Sequence, residues 1–222
     1  EIDGLVCIGG NGTYTGAGIF FDEYGIPSIG APGTIDNDLY GTDFTIGSDT
    51  AVNTALDAID RIRDTADSHN RLFFIEVMGR DSGFIALNAG IAGGAEGILL
   101  PEIMSDYDDL IKHFNNKEKR RKEFSIIIVA EGEKEGNAFE ISRKFQENFS
   151  GYDVRVSILG HIQRGGKPSA NDRILASTLG NAAVEQLIAG KSNACVGVVN
   201  AEVVVTPFHE AIYKSKSINQ TL

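Results

Sequence analysis

Two carboxylates two residues apart form the pair most able to move a proton. Asp36 and Asp38 lie in the segment PGTIDND, residues 32–38, and the hydroxyl of Thr34 stands two residues before the first of them. One carboxylate of such a pair can accept the proton of an alcohol while the other manages a metal or its charge. A turn rich in Asp and Asn with capping roles has the same composition. The segment alone therefore fits either a catalytic or a structural role.

A glycine-rich segment, GGNGT at residues 9–13 with Gly16 beyond it, stands between an apolar run and a helical pattern. Glycines there let the backbone approach a ligand closely, and the amino end of a helix favours phosphate. The segment is neither a Walker A loop nor a complete G-x-G-x-x-G fingerprint. It predicts a phosphate loop or a tight strand-to-helix turn.

Two further segments place basic side chains beside glycines. Arg80 ends the segment EVMGR, residues 76–80, where it can meet a phosphoryl group with two hydrogen bonds or form a surface ion pair. His161 and Arg164 lie three residues apart in GHIQRGG, residues 160–166, and can face one anion. His161 also fits a structural histidine.

Alternating strand and helix patterns must position these four segments. The strands are predicted at residues 5–8, 26–29, 72–77, 98–100, 124–130, 154–159, 196–199 and 203–205. The helices are predicted at residues 13–24, 51–62, 83–94, 106–118, 138–149 and 169–189. This alternation implies right-handed βαβ units and parallel sheets. Ligands of such sheets bind beyond the carboxyl ends of the strands, which is where all four segments stand.

Charge and composition exclude several classes of partner. The chain has 222 residues and a net charge of −11, so it has no general attraction for nucleic acid or anionic membranes. No apolar run approaches the roughly 18 residues of a membrane-spanning helix. An anionic substrate would therefore need locally concentrated positive charge. The basic run at residues 117–122 is either a solvated helix end or such an anion site.

The cysteines and the first residues suggest where the chain works and how much of it is given. Cys7 and Cys195 stand far apart in apolar runs, which indicates buried free thiols in a reducing compartment and a cytoplasmic protein. Glu1 is not an initiator methionine, and the chain runs at once into a predicted strand. We therefore expect a fragment of a longer protein.

In order and together, the four segments resemble the phosphofructokinase family. The matching stretches are GGNGTYTGA, PGTIDND-x-x-GTD, EVMGR and LGHIQRGG-x-P-x-x-x-DRILAS, and the resemblance runs from Ile2 to about residue 213. It is closest to the bacterial, glycolytic, ATP-using branch. The family's amino-terminal, glycine-rich ATP segment has no counterpart in the chain. The resemblance thus implies an incomplete first domain and a chain that is not a competent kinase by itself.

The resemblance implies an α/β fold with two doubly wound parallel-sheet domains. The partial nucleotide-binding domain would take residues 1–47 and 163–205. The sugar-phosphate-binding domain would take residues 48–162, with the tail 206–222 packing back on it.

The activity implied is transfer of a phosphoryl group from MgATP to the 1-hydroxyl of fructose 6-phosphate, giving fructose 1,6-bisphosphate and ADP. Asp36 would be the base, Thr34 and Asp38 would line the same pocket, and Arg80 would stabilise the transferring group. The substrate-binding residues implied are Thr34, Asp36, Arg71, Met78, Gly79, Arg80, Glu131, Arg155, His161 and Arg164. Arg71 and Arg155 would reach the substrate phosphate of a neighbouring subunit, which implies a homo-oligomer, a tetramer by analogy.

The nucleotide phosphates would lie on Gly10, Asn11, Gly12 and Thr13. Asn11 stands where the family has an Asp that binds Mg²⁺, so the metal position carries a neutral amide. Positions that hold ADP or phosphoenolpyruvate in regulated bacterial members are matched by Arg63, Gly94, Glu96, Arg120 and Lys122.

Two other functions stay open beside the kinase. A regulatory paralogue would bind the sugar phosphate with little or no phosphoryl transfer, and Asn11 is its support. A pyrophosphate-dependent enzyme is disfavoured because such relatives have Asp and Lys at the positions of Gly12 and Gly33.

Overall fold

The computed structural model describes residues 2–65, 71–103, 106–117 and 124–218. The chain divides into two compact units. Unit 1 comprises Glu1–Thr50 and Lys167–Leu222, and unit 2 comprises Ala51–Gly166. This division differs from the expected one in three places: residues 48–50 belong to unit 1, residues 163–166 belong to unit 2, and the described residues from 206 onward belong to unit 1.

Eight strands and seven helices occur in the described residues. The strands are β1 (Leu5–Gly9), β2 (Ser28–Pro32), β3 (Arg71–Val77), β4 (Gly97–Leu99), β5 (Phe124–Ala130), β6 (Asp153–Ile158), β7 (Ala194–Val199) and β8 (Glu202–Pro207). The helices are α1 (Asn11–Tyr24), α2 (Ser48–Thr65), α3 (Phe84–Ala92), α4 (Asp106–Lys117), α5 (Ala138–Asn148), α6 (Ala170–Ile188) and α7 (Phe208–Tyr213). A 3-10 helix spans Gly160–Arg164. All overlap elements predicted from the sequence, except α7 and the 3-10 helix. None of the described helices is long and apolar enough to cross a membrane.

Unit 1 is a four-stranded sheet in the order β1-β2-β7-β8 with helices on both faces. Helix α6 packs on one face and helices α1 and α7 on the other. The α6 side buries Ile29, Ala31, Leu179, Ala182, Ala183, Ala194 and Val196. The α1 and α7 side buries Tyr14, Ala17, Leu39, Cys195, Phe208 and Ala211. The tail lies in unit 1 because α7, which follows β8 directly, supplies Phe208 to this second cluster.

Tyr14 fills a space that a glycine leaves open. Its ring stacks on Phe208 with 4.9 Å between ring centroids and is fully buried. A Cβ atom at Gly30 in β2 would lie 2.8 Å from the Phe208 ring and closer still to the Tyr14 ring. The absence of a side chain at residue 30 therefore allows α1 and α7 to pack against the sheet. Burial in this cluster raises the pKa of the Cys195 thiol to about 11, so that thiol stays protonated.

Strand β8 departs from the predicted parallel arrangement, because it pairs antiparallel with β7. Only Asn200 and Ala201 separate the two strands, and both have positive φ angles, 52° and 66°. Two residues can close a hairpin but cannot carry a crossover back to a parallel strand.

Unit 2 is a parallel sheet, as predicted, and its strand order is β4-β5-β3-β6. Helices α4 and α5 bury an aromatic cluster against one face, and α3 packs near β4 and β5. The aromatic cluster is built from Phe74, Phe114, Phe145, Phe149 and Tyr152. Strands β3 and β5 are central and covered on both sides, which is why their sequences read as nearly unbroken apolar runs.

Candidate active site

The acidic loop, residues 32–38, begins at Pro32, the last residue of β2. The backbone N–H of Asp36 donates to Thr34 Oγ1 at 3.2 Å. At the end of the neighbouring strand β1, Asn11 Nδ2 donates to Asp38 Oδ2 at 3.4 Å. The structure thus brings the acidic pair and the glycine segment to one edge of the sheet in unit 1.

Asn37 holds the acidic loop from inside. It is buried and has a φ of 53°, a left-handed conformation that Asn adopts more readily than most residues. Its Oδ1 accepts the Thr45 backbone N–H at 2.9 Å, and its Nδ2 donates to the Asp43 carbonyl at 3.2 Å. Thr45 in turn donates its hydroxyl to the Thr34 carbonyl at 2.7 Å. These bonds fix the backbone on which Asp36 and Asp38 stand.

The glycine segment joins β1 to α1: Gly9 ends the strand, Gly10 lies between the two elements, and Asn11, Gly12 and Thr13 begin the helix. Gly10 is the N-cap of α1 and makes no side-chain capping bond, so the first N–H groups of the helix are not capped in that way. A Cβ at Gly12 would meet nothing within 4 Å, whereas one at Gly33 would lie 2.9 Å from Ile8. Gly12 therefore borders open space. A side chain at residue 33 would press against Ile8, because the chain after β2 runs close to β1.

One oxygen in this part of unit 1 is suited to a cation. Asn11 Oδ1 is buried and accepts no hydrogen bond from any residue that the structure describes. Asp38 lies beside it. The described residues hold no group of three or more His, Cys, Asp or Glu side chains placed to hold a metal ion. Mg²⁺ is commonly held by one or two protein oxygens, with waters and substrate phosphates completing its shell. The pair Asn11 and Asp38 fits that pattern.

In unit 2, three neighbouring strands end in segments that hydrogen bond to one another. Glu131, which follows β5, accepts the backbone N–H groups of Gly79 and Arg80 on Oε2 at 3.3 and 3.1 Å. Gln163 in the 3-10 helix after β6 accepts the Met78 N–H at 2.9 Å. We call Met78, Gly79, Arg80, Glu131 and Gln163 the strand-end group. It brings four predicted substrate-binding residues together.

The turn at Gly79 and Arg80 is closely packed. Their φ angles are 152° and 53°, and a Cβ at Gly79 would collide with the Ser82 carbonyl. A glycine is therefore required there, and the backbone N–H groups of the turn point to Glu131. The carboxylate of Glu131 fixes the turn that carries Arg80.

His161 and Arg164 share one side of the 3-10 helix. Residues three apart eclipse one another in such a helix. Both side chains are exposed, while Gln163 between them is buried at 1% exposure. Both side chains thus face solvent at the carboxyl edge of the sheet, in the 3-10 helix that also carries Gln163 of the strand-end group.

Arg71 and Arg155 do not join this group. Arg71 is the first residue of β3, and Arg155, on β6, pairs with the third, Phe73. A strand of seven residues spans roughly 20 Å, so both arginines lie toward the opposite edge of the sheet. There both guanidinium groups contact Asp153 Oδ2, at 3.4 Å for Arg71 and 3.2 Å for Arg155.

The predicted effector residues are placed in part. Arg63 at the end of α2 donates to the carbonyls of Gly93 and Gly94, and Gly94 has a φ of 62°. Glu96 accepts the Ile126 N–H at 2.7 Å. The structure thus groups Arg63 with Gly94, and Arg120 and Lys122 lie outside the described residues.

Sequence reasoning overlooked three residues that hold the loops: Asn37, Gln163 and Lys216, whose Nζ donates to Asn37 Oδ1 at 3.0 Å. Asn37 and Gln163 lie inside the motifs, and their amide side chains between chemically active neighbours were the available signal. Lys216 carried no signal, because it is a lone lysine in the tail and its contacts lie far back in the sequence.

The model of the phosphofructokinase family matches residues 1–187. An ATP-dependent 6-phosphofructokinase of Cytophaga hutchinsonii is 58% identical over 221 residues, which are 100% of this chain and 67% of that protein. ATP-dependent 6-phosphofructokinase 1 of Thermus thermophilus is 56% identical over 221 residues, again 100% of this chain and 68% of the relative. The chain thus spans about two thirds of the length of these relatives.

Solved structures agree with these sequence relatives. The phosphofructokinase of Saccharomyces cerevisiae superposes with a TM-score of 0.87 at 32% identity, covering 95% of this chain and 32% of that one. A pyrophosphate-dependent phosphofructokinase of Marinobacter aquaeolei superposes with a TM-score of 0.81 at 26% identity, covering 98% of this chain and 62% of that one. On the match of its sequence and its fold, the chain belongs to the phosphofructokinase family.

Proposed function

We propose that the protein is an ATP-dependent 6-phosphofructokinase. It transfers the terminal phosphoryl group of ATP to the 1-hydroxyl of fructose 6-phosphate and serves glycolysis in the cytoplasm. The observation that carries this proposal is the identity of 58% over 221 residues to a relative of that name. The hydrogen bonds that fix the acidic loop and the strand-end group support it, because phosphoryl transfer depends on positioning and on charge stabilisation.

Asp36 is the proposed base. Its carboxylate takes the proton of the substrate hydroxyl as that oxygen attacks the terminal phosphorus. The bond from that phosphorus to the bridging oxygen breaks, and ADP leaves. Thr34 supports this role because its Oγ1 accepts the backbone N–H of Asp36 and orients the residue.

Arg80 is the proposed stabiliser of the transferring phosphoryl group. Its guanidinium matches the geometry of phosphate oxygens, and the bond from its N–H to Glu131 keeps its backbone in place. Met78, Gly79 and Glu131 serve the sugar. His161 and Arg164, exposed on one side of their helix, bind its 6-phosphate.

We propose that Asn11 and Asp38 hold Mg²⁺ and that Gly10, Asn11, Gly12 and Thr13 take the nucleotide phosphates. When bound, the ion neutralises charge on those phosphates. The buried oxygen of Asn11 and the open space beside Gly12 support this assignment.

We also propose that Arg71 and Arg155 serve the site of a neighbouring copy in a homotetramer. Within unit 2 they lie toward the opposite sheet edge from His161 and Arg164, so they are poorly placed to bind the same phosphate. A site for ADP or phosphoenolpyruvate at Arg63, Gly94 and Glu96 is a further proposal, supported by the contact of Arg63 with the turn at Gly94.

The decisive assay compares two phosphoryl donors. Protein expressed from its complete gene is incubated with fructose 6-phosphate, Mg²⁺ and either ATP or pyrophosphate, and products are followed by ³¹P NMR. We expect fructose 1,6-bisphosphate and ADP with ATP and no bisphosphate with pyrophosphate. Bisphosphate formed only with pyrophosphate would assign the other donor. Binding of fructose 6-phosphate without any product would favour the regulatory paralogue.

Restoring a carboxylate at residue 11 tests the metal assignment. We expect Asn11→Asp to lower the Mg²⁺ concentration for half-maximal rate, because a charged ligand contact contributes roughly 1.5–3 kcal/mol, or about 10- to 100-fold. The KM for fructose 6-phosphate should not change. The measurement is a Mg²⁺ titration of the initial rate at saturating substrates.

The control for this titration is Asn148→Asp, which makes the same change on the exposed end of α5. Its Mg²⁺ curve should overlie that of the unmodified protein. If the Asn11→Asp curve does so as well, Asn11 does not bind the metal.

A further inference from the structure

The tail after α7 returns to the acidic loop and places a lysine on it. Lys216 Nζ donates to Asn37 Oδ1 at 3.0 Å and to the carbonyl of Asp43 at 2.7 Å. Ile218, two residues later, is buried and anchors this part of the tail in unit 1. The contact joins residues 179 positions apart in the chain.

The partners of Lys216 are the atoms that hold the loop. Asn37 Oδ1 also accepts the Thr45 N–H, and the Asp43 carbonyl also accepts from Asn37 Nδ2. Asn37 links the acidic loop to residues 43–45. The ammonium group of Lys216 donates to two oxygens of this link, Asn37 Oδ1 and the Asp43 carbonyl. Without it, the oxygens lose a charge-assisted donor, the stronger kind of hydrogen bond.

The lysine keeps its charge in this half-buried place. Burial lowers the pKa of Lys216 to about 8, against the opposing effect of the Asp43 and Asp38 carboxylates. The group is therefore mostly protonated at neutral pH. It places a positive charge behind a loop that carries two carboxylates.

We infer that Lys216 is a positioning residue for phosphoryl transfer, which fixes the Asn37 side chain and through it the backbone that presents Asp36 and Asp38. This inference rests on the proposed function, and the sequence motifs do not include the residue. Lys216 acts through Asn37 and does not touch the substrate in this role.

The main test replaces Lys216 with methionine, which keeps the stem and removes the donors. The side chain lines a cavity of about 600 Å³, so methionine can be accommodated without displacing its neighbours. We expect kcat to fall roughly 10- to 100-fold, because small misplacements of catalytic groups have effects of that size. The KM for fructose 6-phosphate should stay within about twofold, since a positioning effect on the base is expressed in kcat.

Lys214→Met is the matched control. Lys214 lies on the same tail, is exposed, and pairs with Glu210 at one side of the Tyr40 ring. Its loss should leave kcat unchanged. Lys216→Arg should recover most of the rate, because a guanidinium can donate to both oxygens, and Lys216→Gln should give an intermediate rate. If Lys216→Met does not fold, the Gln variant carries the test.

A second measurement does not depend on catalysis. Hydrogen exchange of the backbone amides of residues 34–45 should quicken in Lys216→Met, most clearly at Thr45, and not in Lys214→Met. Normal kcat together with normal Thr45 protection would overturn the inference and leave the proposed function standing. If the unmodified protein makes no bisphosphate, the proposed function fails, and Thr45 exchange alone decides whether Lys216 positions the loop.

Discussion

Asp36→Asn in the protein expressed from its complete gene is expected to lower kcat by roughly 10²- to 10⁴-fold, the usual contribution of a general base. The amide has nearly the same shape as the carboxylate, so the bond from the residue's N–H to Thr34 should remain. It cannot accept the proton of the substrate hydroxyl. Binding of fructose 6-phosphate should be nearly unchanged, and we would measure kcat by product formation and affinity by calorimetry.

Asp22→Asn is the control for this variant, because Asp22 is exposed on α1, away from the acidic loop. It should have the rate of the unmodified protein. A near-normal kcat for Asp36→Asn would remove Asp36 from the mechanism. A loss of rate with an equal loss of sugar-phosphate affinity would make it a binding residue.

Mixed oligomers of Asp36→Asn and Arg155→Ser subunits are expected to regain activity that neither variant has alone. If one copy supplies Asp36 and its neighbour supplies Arg155, random assembly gives roughly a quarter of the sites both intact groups. Co-expression with two different affinity tags and tandem purification would isolate the hybrids. The recovered rate, relative to the two parents, is the measured quantity.

The matched mixture combines Arg71→Ser with Arg155→Ser. In the proposed arrangement both arginines come from the same neighbour, so each site in this mixture keeps one lesion and no recovery is expected. Equal behaviour of the two mixtures would count against sites shared between copies. Both residues contact Asp153 in unit 2, so the two lesions are comparable in place and in charge.

Strands that are buried on both faces were predictable from sequence. Strands β3 and β5 are covered on both faces, so their apolar runs marked them almost to the residue. Helix α1 was predicted to begin at residue 13 but begins at Asn11, because Gly10 caps it without a side-chain bond and leaves no capping signal. The direction of β8 was missed, although the short gap after β7 already excluded a crossover.

The places of candidate site residues were predictable where those residues belong to a compact motif. The motif containing Asp36 and Asp38 also contains Asn37. Only the structure shows that Asn37 is buried and that its backbone is in the left-handed conformation. The contact of Lys216 with Asn37 could not be predicted from sequence. It depends on where the tail packs, and the tail was expected on the other domain. Long-range contacts of single polar residues follow from tertiary packing and leave no local pattern.

The Tyr14 ring above Gly30 constrains how this chain can change over evolutionary time. A methyl group at residue 30 would collide with Tyr14 and Phe208, which come from α1 and α7. A larger residue at position 30 is therefore tolerated only if residues 14 and 208 become smaller. We expect the three positions to covary among descendants of this sequence. Gly30 stands in the strand that leads into the acidic loop. A constraint on the position of that loop thus extends to the packing of Gly30, Tyr14 and Phe208.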